Sequence, residues 1–198
     1  MKQLKTKEKL LKATLKLISE KGYLGATTRE IALAAGVTEL TLFRHFGSKE
    51  KLFEELLNSY TFLPMLRDIL PELEGLPYEE ALRLLAIRFL QSLKERKSMV
   101  KIMYSEVTTY PEKVRRVYNK FVEEIRATLA GYFETLQKRG ILRGVSPEMA
   151  ARVFHGMIFS YFRAEEIMKE PGITKNRMEK NIDEFIDIFM HGTVRDAD

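Results

Sequence analysis

The chain reads as an all-α protein in two parts. Apolar residues recur at helical spacing almost throughout, as in Leu82, Leu85, Ala86, Phe89, Leu90 and Leu93. Helix starts and stops are spelled out, as where Thr27 is followed three residues later by Glu30 and then by Gly36. No stretch alternates apolar and polar residues in the two-residue period of a strand.

The elements follow in order. Leu10, Thr14, Leu17 and Ile18 give residues 4–21 one apolar stripe, and Gly22 ends that helix. Thr27 caps a short helix over about 28–35, with Glu30 reaching back to complete a capping box. Ile31 and Ala35 form its apolar face, and Gly36 supplies the left-handed turn that stops it. Thr38 caps a helix over about 38–46 that buries Leu42 and Phe46. Ser48 opens a third, whose face is Leu52, Phe53, Leu56 and Leu57. Helix, glycine turn, helix is a helix-turn-helix unit, whose second helix enters the DNA major groove.

Residues 60–77 carry Pro64, Pro71, Gly75 and Pro77, so a broken helical connector is expected. The domain boundary falls near residue 60, giving domains 1–60 and 61–198. Helices are expected over about 78–96, 98–109, 111–139, 147–168 and 175–191. Pro111 and Pro147 sit at first helical positions. Gly140, then Pro171 with Gly172, break the chain between helices.

Composition narrows the function. Of 198 residues, 45% are apolar and 31% charged, as in an ordinary soluble globular protein. No apolar run is long enough to span a membrane, so no membrane partner is expected. With no cysteine there is no disulfide, thiolate nucleophile or thiolate metal site, which fits the cytoplasm. His45, His155 and His191 are scattered, with His155 read as helix packing. Neither a metal-binding spacing nor a glycine-rich phosphate loop appears, so neither catalysis, metal nor cofactor is expected. Residues 1–60 hold 11 Lys/Arg against 7 Asp/Glu, a balance of +4 out of the whole chain's +5. That excess sits where a phosphate-binding surface needs it.

The stretch 22–57 resembles the TetR family of transcriptional regulators. The resemblance rests on Gly22 and Tyr23; Ala26, Thr27 and Thr28; Ile31 and Ala32; and Ala35, Gly36 and Val37. It continues through Thr41 and Leu42, His45 and Phe46, and Ser48, Lys49 and Glu50. A looser likeness to the C-terminal domains of the AcrR-like branch rests on three groups of residues. They are Ser105 and Glu106 followed by Tyr110, Pro111 and Glu112; Arg139 to Arg143; and Pro147 with Ala150, Ala151 and Arg152. The resemblance implies an N-terminal DNA-binding domain and a C-terminal ligand-binding and dimerisation domain.

Thr38, Glu39, Leu40 and Thr41 begin the recognition helix and are the candidate base readers. Thr41 hydrogen-bonds a base or packs on thymine, and Glu39 either accepts from cytosine or is simply solvated. Many family members have lysine and glycine in place of Glu39 and Leu40. Phe43 stands where the family usually has a phosphate-binding tyrosine. Candidate phosphate contacts are Thr27, Thr28, Arg44, His45 and Lys49, with Arg29 in the same basic segment; packing or capping is the other reading of His45.

All eight methionines beyond Met1 and 15 of the 20 aromatics follow residue 60. Such side chains line adaptable cavities as well as ordinary cores. The candidate effector lining is Phe62, Met65, Phe89, Met103, Tyr104, Tyr118, Phe121, Phe154, Met157 and Tyr161, suiting an apolar or aromatic molecule with a polar handle. Helix 147–168 is apolar nearly all round, with Gly156, Ser160 and Ala164 as a small-residue strip. Together with helix 175–191 it is expected to pair with a second copy. The expected partners are therefore double-stranded operator DNA, a second chain and a small-molecule effector. The expected activity is repression from a palindromic operator, relieved by the effector. A regulator that senses no small molecule and answers to a protein partner is the alternative.

Overall fold

The computed structural model describes residues 2–169, 172 and 174–194, so Pro171 of the expected break lies outside the described residues. Among the described residues ten α-helices follow one another: α1 (Lys2–Gly25), α2 (Thr28–Ala34), α3 (Glu39–Phe46), α4 (Lys49–Tyr60), α5 (Phe62–Ile69), α6 (Tyr78–Glu95), α7 (Lys97–Glu106), α8 (Glu112–Lys138), α9 (Pro147–Phe162) and α10 (Lys175–Thr193). A 3₁₀ turn, Leu70–Leu73, follows α5, with Pro71 near its start. No strand occurs among the described residues, only an isolated bridge between Leu142 and Val194.

The chain forms two compact units. The first joins Met1–Thr61 to Arg96–Val122, and the second joins Phe62–Glu95 to Glu123–Asp198. A single cut at residue 60 matches the first crossing only, because α7 and the start of α8 belong with the N-terminal helices.

In the first unit α1 packs on α7, α2 and α4. One continuous core holds Leu10, Ile18, Ile31, Leu42, Leu52 and Phe53 from the N-terminal helices, with Met99, Met103, Tyr110 and Val114 from the later segment. Tyr23, Phe53 and Tyr110 form an aromatic triangle with centroids 4.9, 5.8 and 6.3 Å apart.

In the second unit α6 packs against α5, α9 and α10. Phe133, Phe154 and Phe189 cluster at 5.4 to 6.1 Å. The helix expected to run to residue 168 keeps α geometry only to Phe162, then widens into a π turn, Arg163–Ile167. That turn carries the buried Glu166, whose carboxylate pairs with Lys94 of α6 at 2.9 Å. A π turn places side chains about 100° away from where a continued α-helix would put them, and such turns recur where a helix meets a local packing demand.

Candidate nucleic-acid interface

Two caps and one glycine fix the helix-turn-helix. The Thr27 hydroxyl accepts the Glu30 N–H, and the Glu30 carboxylate accepts the Thr27 N–H at 3.1 Å, which is the expected capping box. Lys21 also donates to Glu30 at 2.7 Å. These bonds, that from Lys21 first, hold the Glu30 carboxyl down to about 2. Gly36 adopts φ 70°, a left-handed conformation that side-chain-bearing residues resist. Its N–H reaches the Leu33 carbonyl, and that of Val37 reaches Ala32, both at 3.0 Å. The Thr38 side chain then caps α3 through the Thr41 N–H.

With Leu42 and Phe46 buried, α3 turns its opposite face outward. Leu40 (73% exposed), Phe43 (41%) and Arg44 share that face at i, i+3 and i+4. Thr27, Arg29 and Thr38 are exposed beside it, and His45 is half-buried against Phe46. Every DNA-binding candidate thus belongs to the first unit, at the starts of α2 and α4 or along α3 and its cap.

Five of these side chains carry partners that were not legible beforehand. The Thr28 hydroxyl donates to the Glu39 carboxylate at 2.5 Å, so Glu39 is held rather than freely solvated. The Thr38 and Thr41 hydroxyls hydrogen-bond each other at 2.9 Å. The Lys49 ammonium donates to the Tyr23 carbonyl and lies 4.3 Å from the centre of that ring. Burial draws the Lys49 pKa below its ordinary value, while Glu106 and Glu50 act against the shift.

Sequence reasoning missed Glu106, although it lies in a quoted motif. Its carboxylate accepts the Tyr23 N–H at 2.8 Å, next to Gly22, where α1 kinks at φ 76° and ψ 173°. The glycine was visible as a helix end; its partner, 83 residues on, was not.

The ten effector candidates divide between the units. Met103, Tyr104, Tyr118 and Phe121 belong to the first, where Met103 is core and Tyr118 and Phe121 pack against it. Phe62, Met65, Phe89, Phe154, Met157 and Tyr161 belong to the second. There Phe62 lies 4.4 Å from Phe89, and Phe89 stacks on His155 at 5.2 Å. Phe159 lies parallel to His155 at 6.1 Å. His155 is 8% exposed, and its Nδ1 has no hydrogen-bond partner among the described residues. Burial, followed by the Arg126 charge, pushes its pKa down to about 4, so the ring is neutral at physiological pH.

Comparison with known proteins agrees with this geometry. The sequence pattern of the bacterial regulatory proteins of the tetR family matches residues 10–56. That of the AefR-like transcriptional repressor C-terminal domain matches residues 80–192, more than half of the chain. The uncharacterized HTH-type transcriptional regulator YvkB of Bacillus subtilis is 31% identical over 157 residues, covering 79% of this chain and 81% of that protein. A TetR-family regulator structure from Mesorhizobium loti superposes with a TM-score of 0.77 at 25% identity, over 98% of this chain and all of that one. NalD of Pseudomonas aeruginosa, the secondary repressor of the MexAB-OprM multidrug efflux pump, gives 0.70 at 25% identity over the full length of both. A capped helix-turn-helix with an outward basic and apolar reading face, followed by an AefR-like helical domain, places this chain in the TetR family of DNA-binding transcriptional regulators.

Proposed function

We propose that the chain is a cytoplasmic repressor that binds a two-fold symmetric operator as a homodimer and is released by a small apolar or aromatic effector. The observation that carries the dimer is the outer face of α9 and α10. Met149, Val153 and Ile188 are exposed there, and Ser160 is open to solvent. A Cβ built on Gly156 would meet nothing within 4 Å. Exposed aliphatic side chains beside a small-residue strip suit the close approach of an identical helix pair. Two-fold pairing matches a palindromic operator, with half-sites about 34–36 Å apart.

Effector sensing is supported by the second unit. The Phe62, Phe89 and Phe159 rings cluster around His155, and its unpartnered Nδ1 is a polar handle for an effector that enters among them. The likeness to NalD and to the AefR-like repressors supports repression over activation.

The test follows DNA affinity by fluorescence anisotropy on a duplex selected by the protein itself. Small aromatic acids, phenols and amines are added in turn. At least one is expected to lower affinity about tenfold, a coupling of about 1.4 kcal/mol. His155→Leu should blunt that response and leave ligand-free DNA affinity intact. If no compound shifts affinity, the effector role is lost and control through a protein partner takes its place.

A further inference from the structure

We propose that Glu39, held in place by Thr28, selects cytosine in the operator half-site; the inference rests on the DNA-binding reading of α3. Glu39 is the first residue of α3, and Thr28 is the first residue of α2. The hydrogen bond from the Thr28 hydroxyl to Glu39 Oε1 therefore ties together the beginnings of the two helices that meet the duplex. Among the described residues no Lys or Arg forms an ion pair with Glu39; its charge is met by the Thr28 hydroxyl and the N-terminus of α3.

A carboxylate without a cationic partner, set beside phosphates, weakens binding to every sequence, because each phosphate repels it. It stays useful only where a base donates a hydrogen bond to it. In the major groove the amino donors are cytosine N4 and adenine N6. Adenine carries the N7 acceptor beside its amino group, which repels a carboxylate. Cytosine presents only C5–H on that side, so a carboxylate prefers cytosine. Glutamine reverses the choice, because its amide donates to N7 while accepting from N6.

Thr28 is a positioning residue in this scheme. A carboxylate offers about four lone-pair sites, and the threonine hydroxyl occupies one. The bond removes rotamer freedom that a solvated glutamate would lose on binding. It also commits the Thr28 hydroxyl to Glu39 in the free protein. Leu40, exposed immediately after Glu39, offers alkyl surface to a neighbouring thymine methyl.

Binding sites are selected from a random duplex library by the full-length protein, by Glu39→Gln, by Thr28→Val and by Thr28→Ser. Thermal unfolding confirms that each variant is folded. The wild type should enrich cytosine at one fixed position of each half-site, preferring it about fivefold or more over other bases. Glu39→Gln should move that position to adenine. Thr28→Val should keep cytosine but reduce the preference about threefold, and Thr28→Ser should restore it. If Glu39→Gln keeps the wild-type base preferences and binds all duplexes more tightly, the carboxylate acts only as charge and the proposal fails. A symmetric site with no cytosine preference overturns this inference alone; no enriched site at all overturns the DNA-binding reading with it.

Discussion

The Glu106 carboxylate accepts the backbone N–H of Tyr23 at 2.8 Å, joining the end of α7 to the kink of α1. The kink leaves that N–H outside the regular helical ladder, and a carboxylate is a strong acceptor for it. Lys49 takes the Tyr23 carbonyl, so one peptide neighbourhood is gripped from both sides. Tyr110 and Phe53 close around the same ring. The segment that leads into the helix-turn-helix is thus fixed by residues far from it in sequence.

Gly22 is the sensitive point of that joint. At φ +76° an L side chain is strained, and a Cβ would collide with the Glu106 carboxylate. Gly22→Ala should cost about 2–4 kcal/mol in urea unfolding, combining backbone strain with loss of the bond to Tyr23. Glu106→Ala should cost about 1–3 kcal/mol by orphaning the Tyr23 N–H. The double variant should cost less than the sum, because the first change already displaces Glu106. Additivity within about 0.5 kcal/mol would show that the two residues act independently.

Lys49 holds the Tyr23 carbonyl and ring, and we propose that it also meets a DNA phosphate. Lys49→Ala should lower stability by about 1–2 kcal/mol through the lost contacts to the Tyr23 carbonyl and ring. It should also weaken binding to all duplexes alike and reduce the salt slope by about one. Equilibrium unfolding and anisotropy over a salt series separate the two effects. A stability loss with an unchanged salt slope would confine Lys49 to the fold.

His155 makes the second unit sensitive to acid. Its folded pKa, about 4, lies below the ordinary 6.5, so between these values the unfolded chain binds the proton and the folded chain does not. Stability is therefore unaffected above about pH 6.5 and falls as pH drops towards 4, by about 3 kcal/mol in all. Urea unfolding at pH 7 and pH 4.5 should show this loss in the wild type. His155→Phe should remove most of it, and an equal loss in that variant would assign the acid sensitivity to other groups.

Ile188 is 65% exposed on α10 and is the simplest point at which to break the proposed pairing. Ile188→Lys should leave a monomer in sedimentation equilibrium at micromolar concentration, because burying an unpaired ammonium at the centre of an interface costs several kcal/mol. DNA affinity should fall with dimerisation, and helical content should not change. An unaltered dimer would place the interface elsewhere.

Local chemistry explains what was legible in the sequence. The capping box of Thr27 with Glu30, the Gly36 turn, the Thr38 and Ser48 caps and the buried faces of α3 and α4 all depend on residues within about four positions of one another. Tertiary partners are a different matter. Periodicity shows that Met103 and Phe121 face a core, and says nothing of which core; they pack in the unit that holds the helix-turn-helix. The same limit hid the pairing of Glu106 with Tyr23 and of Lys49 with its ring. His155 looked like helix packing, and its unpartnered Nδ1 emerged only once its neighbours proved to be phenyl rings.

In the proposed complex two copies of the chain read a symmetric duplex through α3. Site selection from a random duplex library, followed by the mass of the complex on the winning duplex, tests it most directly. The expected result is a palindrome whose half-site centres lie about 10 base pairs apart or a multiple of that, bound by an even number of chains. A single asymmetric site bound by one chain would contradict it.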